Sequence, residues 1–342
     1  MHRALALSLI LLLAACRSGA MPMGPATEPG RLEADAFVTV DGTRLRLHSW
    51  EPEEPPQAVV LALHGFNDHG GAFAAISEAL TSAGVRLYAY DQRGFGASEH
   101  AGLWPGKDVL VADARLAIEL LNARHPDVPL HLLGKSMGGA VAMLLAVDAA
   151  PELASTVLLA PAVLGQAVMP GHQRLALWLA ERLVPGLPLS VELGQAFGYR
   201  PSDQAEVIAA LRDDPLVLDY PRVEAVAGLA DLMDRAFTLA PKVQGEVLML
   251  YGSQDDLVPK SAICKLLEGL VGEQAGGSWH LRLYPEGYHM LTRYSGAEKT
   301  RKDILTWLFA NHSGEASAWL TPERGLVELE CKADVRPSPR SR

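Results

Sequence analysis

Residues 130–146 read LHLLGKSMGGAVAMLLA, and two incompatible motifs overlap there. GKS ends a phosphate-binding P-loop, whereas GKSMG is a G-x-S-x-G nucleophile elbow. A P-loop needs a glycine five residues before Gly134, and that position is Pro129; LHLLG is also strand-like up to Gly134, which leaves no glycine-rich loop to wrap a phosphate. The elbow has the context it needs. LHLLG predicts a strand and GGAVAMLLAVDAAP a helix, so Ser136 falls on a sharp turn between them, with Gly134 and Gly138 where side chains would clash.

A serine hydroxyl is a poor nucleophile at neutral pH and needs a base, which in turn needs an orienting acid. In sheet proteins built around such an elbow the chain order is Ser, then Asp or Glu, then His, on loops after later strands. LMLYGSQDDLVP supplies Asp255 directly after a predicted strand, with Asp256 as competitor. LRLYPEGYHML supplies His289 between the last predicted strand and the last predicted helix. His172, His280 and His312 fit less well: one lies in a helical insertion, one inside a strand pattern, one at a helix end. The tetrahedral oxyanion needs two backbone N–H donors. Met137, after the nucleophile, is one, and Phe66 in LHGFNDHGG, after the strand at 58–63, is the other. His64 precedes Ser136 and is read as structural, as is DQRGFGAS (91–98). Lys135 is the odd residue of the elbow, read as a tolerated side chain toward sheet or solvent, with a salt bridge that steadies the turn as a further possibility.

Strands and helices alternate through most of the chain. FVTV and RLRLHSW flank DGT as a hairpin. AVVLALHG (58–65), VRLYAYD, LHLLG, STVLLAP, EVLMLYG and WHLRLYP read as strands, with helices between most of them and a final one in GAEKTRKDILTWLFANH. This rhythm predicts a mostly parallel sheet covered on both faces. It breaks at about 163–241, where helical pieces such as QRLALWLAERLVPG and VEAVAGLADLMDRAFTLAP follow one another without a buried strand. The break predicts a helical cap inserted after the sixth strand. Its greasy segment is either an acyl-binding, membrane-facing lid or simply the cap packing on the sheet.

Hydrophobic residues are 49% and charged residues 20% of the 342, as in a globular chain. A net charge of -10 argues against nucleic acid as a partner. Residues 1–15 have the layout of a secretory signal, with Arg3 before the apolar run Ala4–Leu13. LAAC, ending at Cys16, resembles a bacterial lipobox, which implies a lipid anchor at Cys16, a place in the cell envelope, and, with Arg17 following, the outer membrane facing the periplasm. Residues 16–36 read as a flexible tether, 37–312 as the folded domain and 313–342 as a polar, largely disordered tail. Of the three cysteines, Cys264 and Cys331 form either a disulfide or two free thiols. No metal-binding spacing is present in the sequence.

HGFNDHGG, DQRGFGAS, GKSMGG, GSQDDLVP and GYH, in this order, resemble the monoacylglycerol lipase and lysophospholipase branch of the α/β-hydrolases over roughly Phe37 to His312. The resemblance implies the α/β-hydrolase fold and lipid-ester hydrolysis through an acyl-enzyme. It implies Ser136 as nucleophile, Asp255 as acid, His289 as base, Phe66 and Met137 as oxyanion donors, and no cofactor. Lys135 departs from the relatives' His or apolar residue, and the cap does not align by motif. A serine aminopeptidase or amidase of the same fold is the alternative, which would need acids such as Glu192, Asp203 or Glu206 at the pocket. A non-catalytic envelope binding protein is the third reading.

Overall fold

Apolar runs become the centre of the sheet. In the computed structural model, which describes residues 21, 23–148, 152–164, 166, 169–189, 199–271, 275–310 and 319–331, β4 (Ala58–Leu63), β6 (Leu130–Lys135) and β7 (Ser155–Leu159) are buried at every position. They pair in parallel with one another and with β5 (Val85–Tyr90), β8 (Glu246–Gly252) and β9 (Ser278–Tyr284). Three strands at the N-terminus, β1 (Arg31–Leu32), β2 (Ala36–Val38) and β3 (Arg44–Trp50), add in antiparallel fashion, giving one nine-stranded sheet in the order β1-β2-β3-β5-β4-β6-β7-β8-β9.

The pleat sends successive side chains to opposite faces, and each face has its own core. Val59, Leu61 and Leu63 join one cluster with α2 (Lys107–Arg124), α3 (Met137–Ala146) and α7 (Lys260–Leu270). Val60 and Ala62 join the other, with α1 (Ala74–Ser82) and α8 (Ala297–Phe309). The architecture is the mostly parallel, doubly covered sheet that the alternation predicts, in the α/β-hydrolase arrangement that the resemblance implies. Parallel strands force crossovers, so the chain segments leaving β4, β6, β8 and β9 all emerge at one edge of the sheet. That edge carries the site.

The cap leaves after β7 and returns at β8. It holds α4 (Gly171–Leu183), α5 (Ala205–Asp213) and α6 (Val223–Leu239). It follows the seventh strand rather than the sixth, because the short β1 was not legible in the sequence. Alanines and leucines along one side of α6, among them Ala225, Leu232 and Ala236, are buried, and α6 packs on α3 and α4. By contrast α4 buries no residue fully, and its Leu175, Trp178, Leu179 and Leu183 are exposed at 57%, 48%, 42% and 60%. The greasy segment therefore does not pack its apolar side away against the sheet.

Two boundaries differ from the sequence reading. The tether was expected to reach residue 36, but the chain already lies on the domain: Thr27 N–H donates to Val40 O at 2.8 Å and Gly24 N–H to Asp41 Oδ2 at 2.9 Å. The tail was expected to be largely disordered, but 319–331 is an ordered strap. Trp319 is buried edge-on to Trp307; Leu320 exchanges two 2.9 Å backbone hydrogen bonds with Leu281 of β9; α9 (Pro322–Glu328) follows; and Cys331 is disulfide-bonded to Cys264 of α7. These apolar residues anchor an otherwise polar stretch. No helix among the described residues is long and apolar enough to cross a membrane.

Candidate active site

Ser136 has φ 52 and ψ −115, in the region that L-residues avoid; holding it there costs about 1–3 kcal/mol. The surrounding backbone enforces it. Ser136 N–H donates to Leu159 O at 2.9 Å, and its carbonyl accepts from Ala140 at 3.1 Å and Ala162 at 3.0 Å. The flanking glycines are obligatory by contact: a Cβ on Gly138 would lie 2.1 Å from Leu63 O, and one on Gly134 2.4 Å from Gly138 O. The G-x-S-x-G pattern is thus the sequence signature of one tight crossing of β6, α3 and β4.

Asp255 follows β8 and His289 follows β9. His289 Nδ1 lies 2.8 Å from Asp255 Oδ2, with both residues 5% exposed. The other carboxylate oxygen accepts the N–H groups of Leu257 and Val258, each at 2.9 Å. A carboxylate at Nδ1 fixes the tautomer, so Nδ1 carries the proton and Nε2 presents its lone pair. Asp256 is exposed, and it is Asp255 that reaches His289. Cap residues brace the histidine loop: Met290 N–H donates to Pro201 O at 2.8 Å, and Ser202 Oγ–H to Arg293 O at 2.6 Å.

Residues 65–68 form a turn closed by Asp68 N–H to Gly65 O at 3.2 Å, with Asn67 at φ 62. Gly65 sits against the nucleophile, since its Cβ would be 3.3 Å from Ser136 Cβ. Among the described residues, no turn or cap hydrogen bond takes up the N–H of Phe66 or of Met137. The Phe66 ring lies 5.6 Å from Phe95 and 6.5 Å from Trp104 between centroids. His64 beneath the turn is fully buried. Gln92 N–H donates to its Nε2 at 2.8 Å, so Nδ1 holds the hydrogen and donates to Gly65 O at 2.8 Å. Burial pushes the imidazole pKa down, against the pull of Asp68. His64 is a strut, joining the turn to the DQRGFGAS loop.

Lys135 reaches neither the sheet interior nor solvent. Its ammonium donates to Asp68 Oδ2 at 2.8 Å, and both side chains are about nine-tenths buried, at 10% and 9% exposure. Burial resists ionisation of Asp68, but Lys135, with His64 and Arg293 nearby, outweighs it and holds the carboxyl well below the usual range. Sequence reasoning raised a bridge at Lys135 without its partner, because Asp68 lies 67 residues away.

Three more groups meet beside the turn. His48, His69 and Asp91 bring ligand atoms within 4.8 Å of one another. Asp91 already accepts from His48 at 3.0 Å, Gly70 N–H at 2.8 Å and Ala97 N–H at 2.8 Å. Asp91 and His48 thus brace the loops, while His69 turns its Nε2 to Asp214 Oδ2 at 3.0 Å. His172 lies on the exposed α4, and His280 pairs with Glu246 at 3.3 Å. Cys16, Glu192 and His312 lie outside the described residues.

The profile described as serine aminopeptidase, S33 (Hydrolase_4) matches residues 54–294, and the chain belongs to that family of α/β-hydrolases. The monoacylglycerol lipase of Mycolicibacterium smegmatis is 28% identical over 288 residues, 81% of this chain and 96% of that one. The monoglyceride lipase of Mus musculus is 27% identical over 259 residues, 75% of this chain and 83% of that one. Among solved structures, the Paleococcus ferrophilus monoacylglycerol lipase superposes with a TM-score of 0.62 at 24% identity, covering 77% of this chain and 98% of that one.

Proposed function

We propose that the chain is a serine hydrolase of carboxylic esters, acting on lipid esters of the monoacylglycerol or lysophospholipid class through an acyl-enzyme. The observation that carries this reading is the buried 2.8 Å His289–Asp255 contact on the sheet edge where Ser136 is held in its strained turn. Ser136 Oγ attacks the ester carbonyl while His289 Nε2 takes its proton, and Asp255 stabilises the imidazolium so formed. The N–H groups of Met137 and Phe66 bind the oxyanion. His289 then protonates the departing alcohol, and water, activated by the same nitrogen, releases the fatty acid. The lipid assignment draws on the relatives' names and on the exposed apolar side of α4.

An amidase reading has the family description behind it. Of its candidate amine-binding acids, the two among the described residues do not favour it: Asp203 is exposed, with its carboxylate taking the Ser295 N–H at 3.0 Å, and Glu206 is exposed on α5. Ser136→Ala should abolish hydrolysis of p-nitrophenyl esters and labelling by a fluorophosphonate while leaving the melting temperature unchanged within a few degrees. Retained turnover in the purified variant sinks the reading, and preference for an aminoacyl amide over monoacylglycerol turns it to the alternative. We further infer export with a lipid on Cys16, which the Cys264–Cys331 disulfide favours because such bonds persist in oxidising compartments; labelled palmitate that still enters Cys16→Ser would exclude it.

A further inference from the structure

Lys135 immediately precedes the nucleophile, and Asp68 lies two residues after Phe66. The two oxyanion donors therefore sit on separate pieces of backbone: Met137 on the elbow, Phe66 on the turn at 65–68. Their spacing matters, because a donor acts only when it lies about 2.7–3.1 Å from the developing oxyanion. Backbone pairing joins β4 to β6 as far as Leu63 and Gly134, and the turn itself is held by Asp68 N–H to Gly65 O at 3.2 Å, Leu218 N–H to Asn67 O at 3.0 Å and His64 Nδ1–H to Gly65 O at 2.8 Å. Beyond the end of β4, Gly65 packs on Ser136 without a side chain to lock the contact, and Lys135–Asp68 is the side-chain bond that joins turn to elbow.

We propose that the buried Lys135–Asp68 ion pair is a positioning device that fixes the Phe66 N–H relative to the elbow. The proposal rests on the serine-hydrolase reading above. The ammonium binds one carboxylate oxygen at 2.8 Å, and the other oxygen accepts the His69 N–H at 3.0 Å. The carboxylate is thereby held from both sides and leaves the turn no freedom to swing from the elbow. Arg293, four residues beyond His289, adds a smaller favourable charge to the same carboxylate. A buried ion pair is also a poor device for stability alone, since apolar side chains of similar volume do as well or better. Its location at the junction of the two donor segments gives it a role that apolar packing does not supply.

The double variant Lys135→Met/Asp68→Leu removes both charges and avoids leaving one buried alone. On a soluble short-chain ester, kcat should fall about 10- to 100-fold with KM held within about threefold, because the oxyanion forms only in the transition state. Affinity for a trifluoromethyl ketone, whose adduct carries the oxyanion, should fall in step with kcat/KM. Lys135→Arg keeps the pair and should restore most of kcat. Should the double variant fail to fold, Lys135→Gln is expected to give the same loss in kcat alone. Wild-type kcat in either variant, or a change confined to KM, overturns the proposal. Failure of the wild-type protein to hydrolyse esters and to be labelled at Ser136 overturns the serine-hydrolase reading beneath it, which is a different result from an active enzyme indifferent to these substitutions.

Discussion

Asp255 accepts three hydrogen bonds, two from its own loop and one from His289, so two substitutions at neighbouring positions should behave very differently. Asp255→Asn can still cap the loop through its amide oxygen but presents N–H groups to Nδ1, which favours the wrong imidazole tautomer; kcat should fall by about 10⁴ with little change in stability. Asp256→Asn, on an exposed side chain, should leave kcat within about twofold. His64 makes a separate prediction. Its pKa is depressed in the folded state by burial, so the unfolded chain binds its proton first. Stability from this group is therefore full above about pH 6.5 and declines as pH falls from there toward the folded value. Melting curves between pH 8 and 5 should show that decline before the carboxylates titrate. His64→Asn should flatten the slope in that window even while lowering the overall melting temperature.

The elements differ in how much of their placement their own residues reveal. β4, β6 and β7 are continuous apolar runs buried on both faces and could be read directly, as could the elbow glycines and the loops that follow β8 and β9. The strap at 319–331 could not: it sits within a longer polar stretch, and what orders it is contact with Trp307, Leu281 and Cys264, the last two distant in sequence. The His48–Asp91 and His69–Asp214 contacts were hidden for the same reason, since each joins segments far apart in sequence. The disulfide spans 67 residues, for which loop-closure entropy alone is worth about 4 kcal/mol. Cys264→Ser/Cys331→Ser should lower the melting temperature by roughly 5–15 °C and leave kcat on a soluble ester unaltered, because the bond ties α7 to the strap and neither cysteine lies on a loop that carries Ser136, Asp255 or His289. A loss of kcat without a thermal shift would show instead that the strap governs the site.

Over the whole molecule, the sheet places the reactive groups at one edge and leaves the opposite end of the chain to protect its border. β9 is the last strand in the sheet order, and an uncovered border strand offers unpaired N–H and C=O groups to any other chain. Leu320 occupies that border through its paired bonds to Leu281, and the disulfide keeps the strap from peeling away. A protein ended at residue 310 would keep Ser136, Asp255, His289 and the N–H groups of Phe66 and Met137, and on the proposed reading should turn over a soluble ester when freshly prepared. It should also self-associate through β9, eluting as dimers and larger species on gel filtration where the full chain does not. The strap at 319–331 would then matter less to what the molecule does than to its remaining dispersed at high concentration.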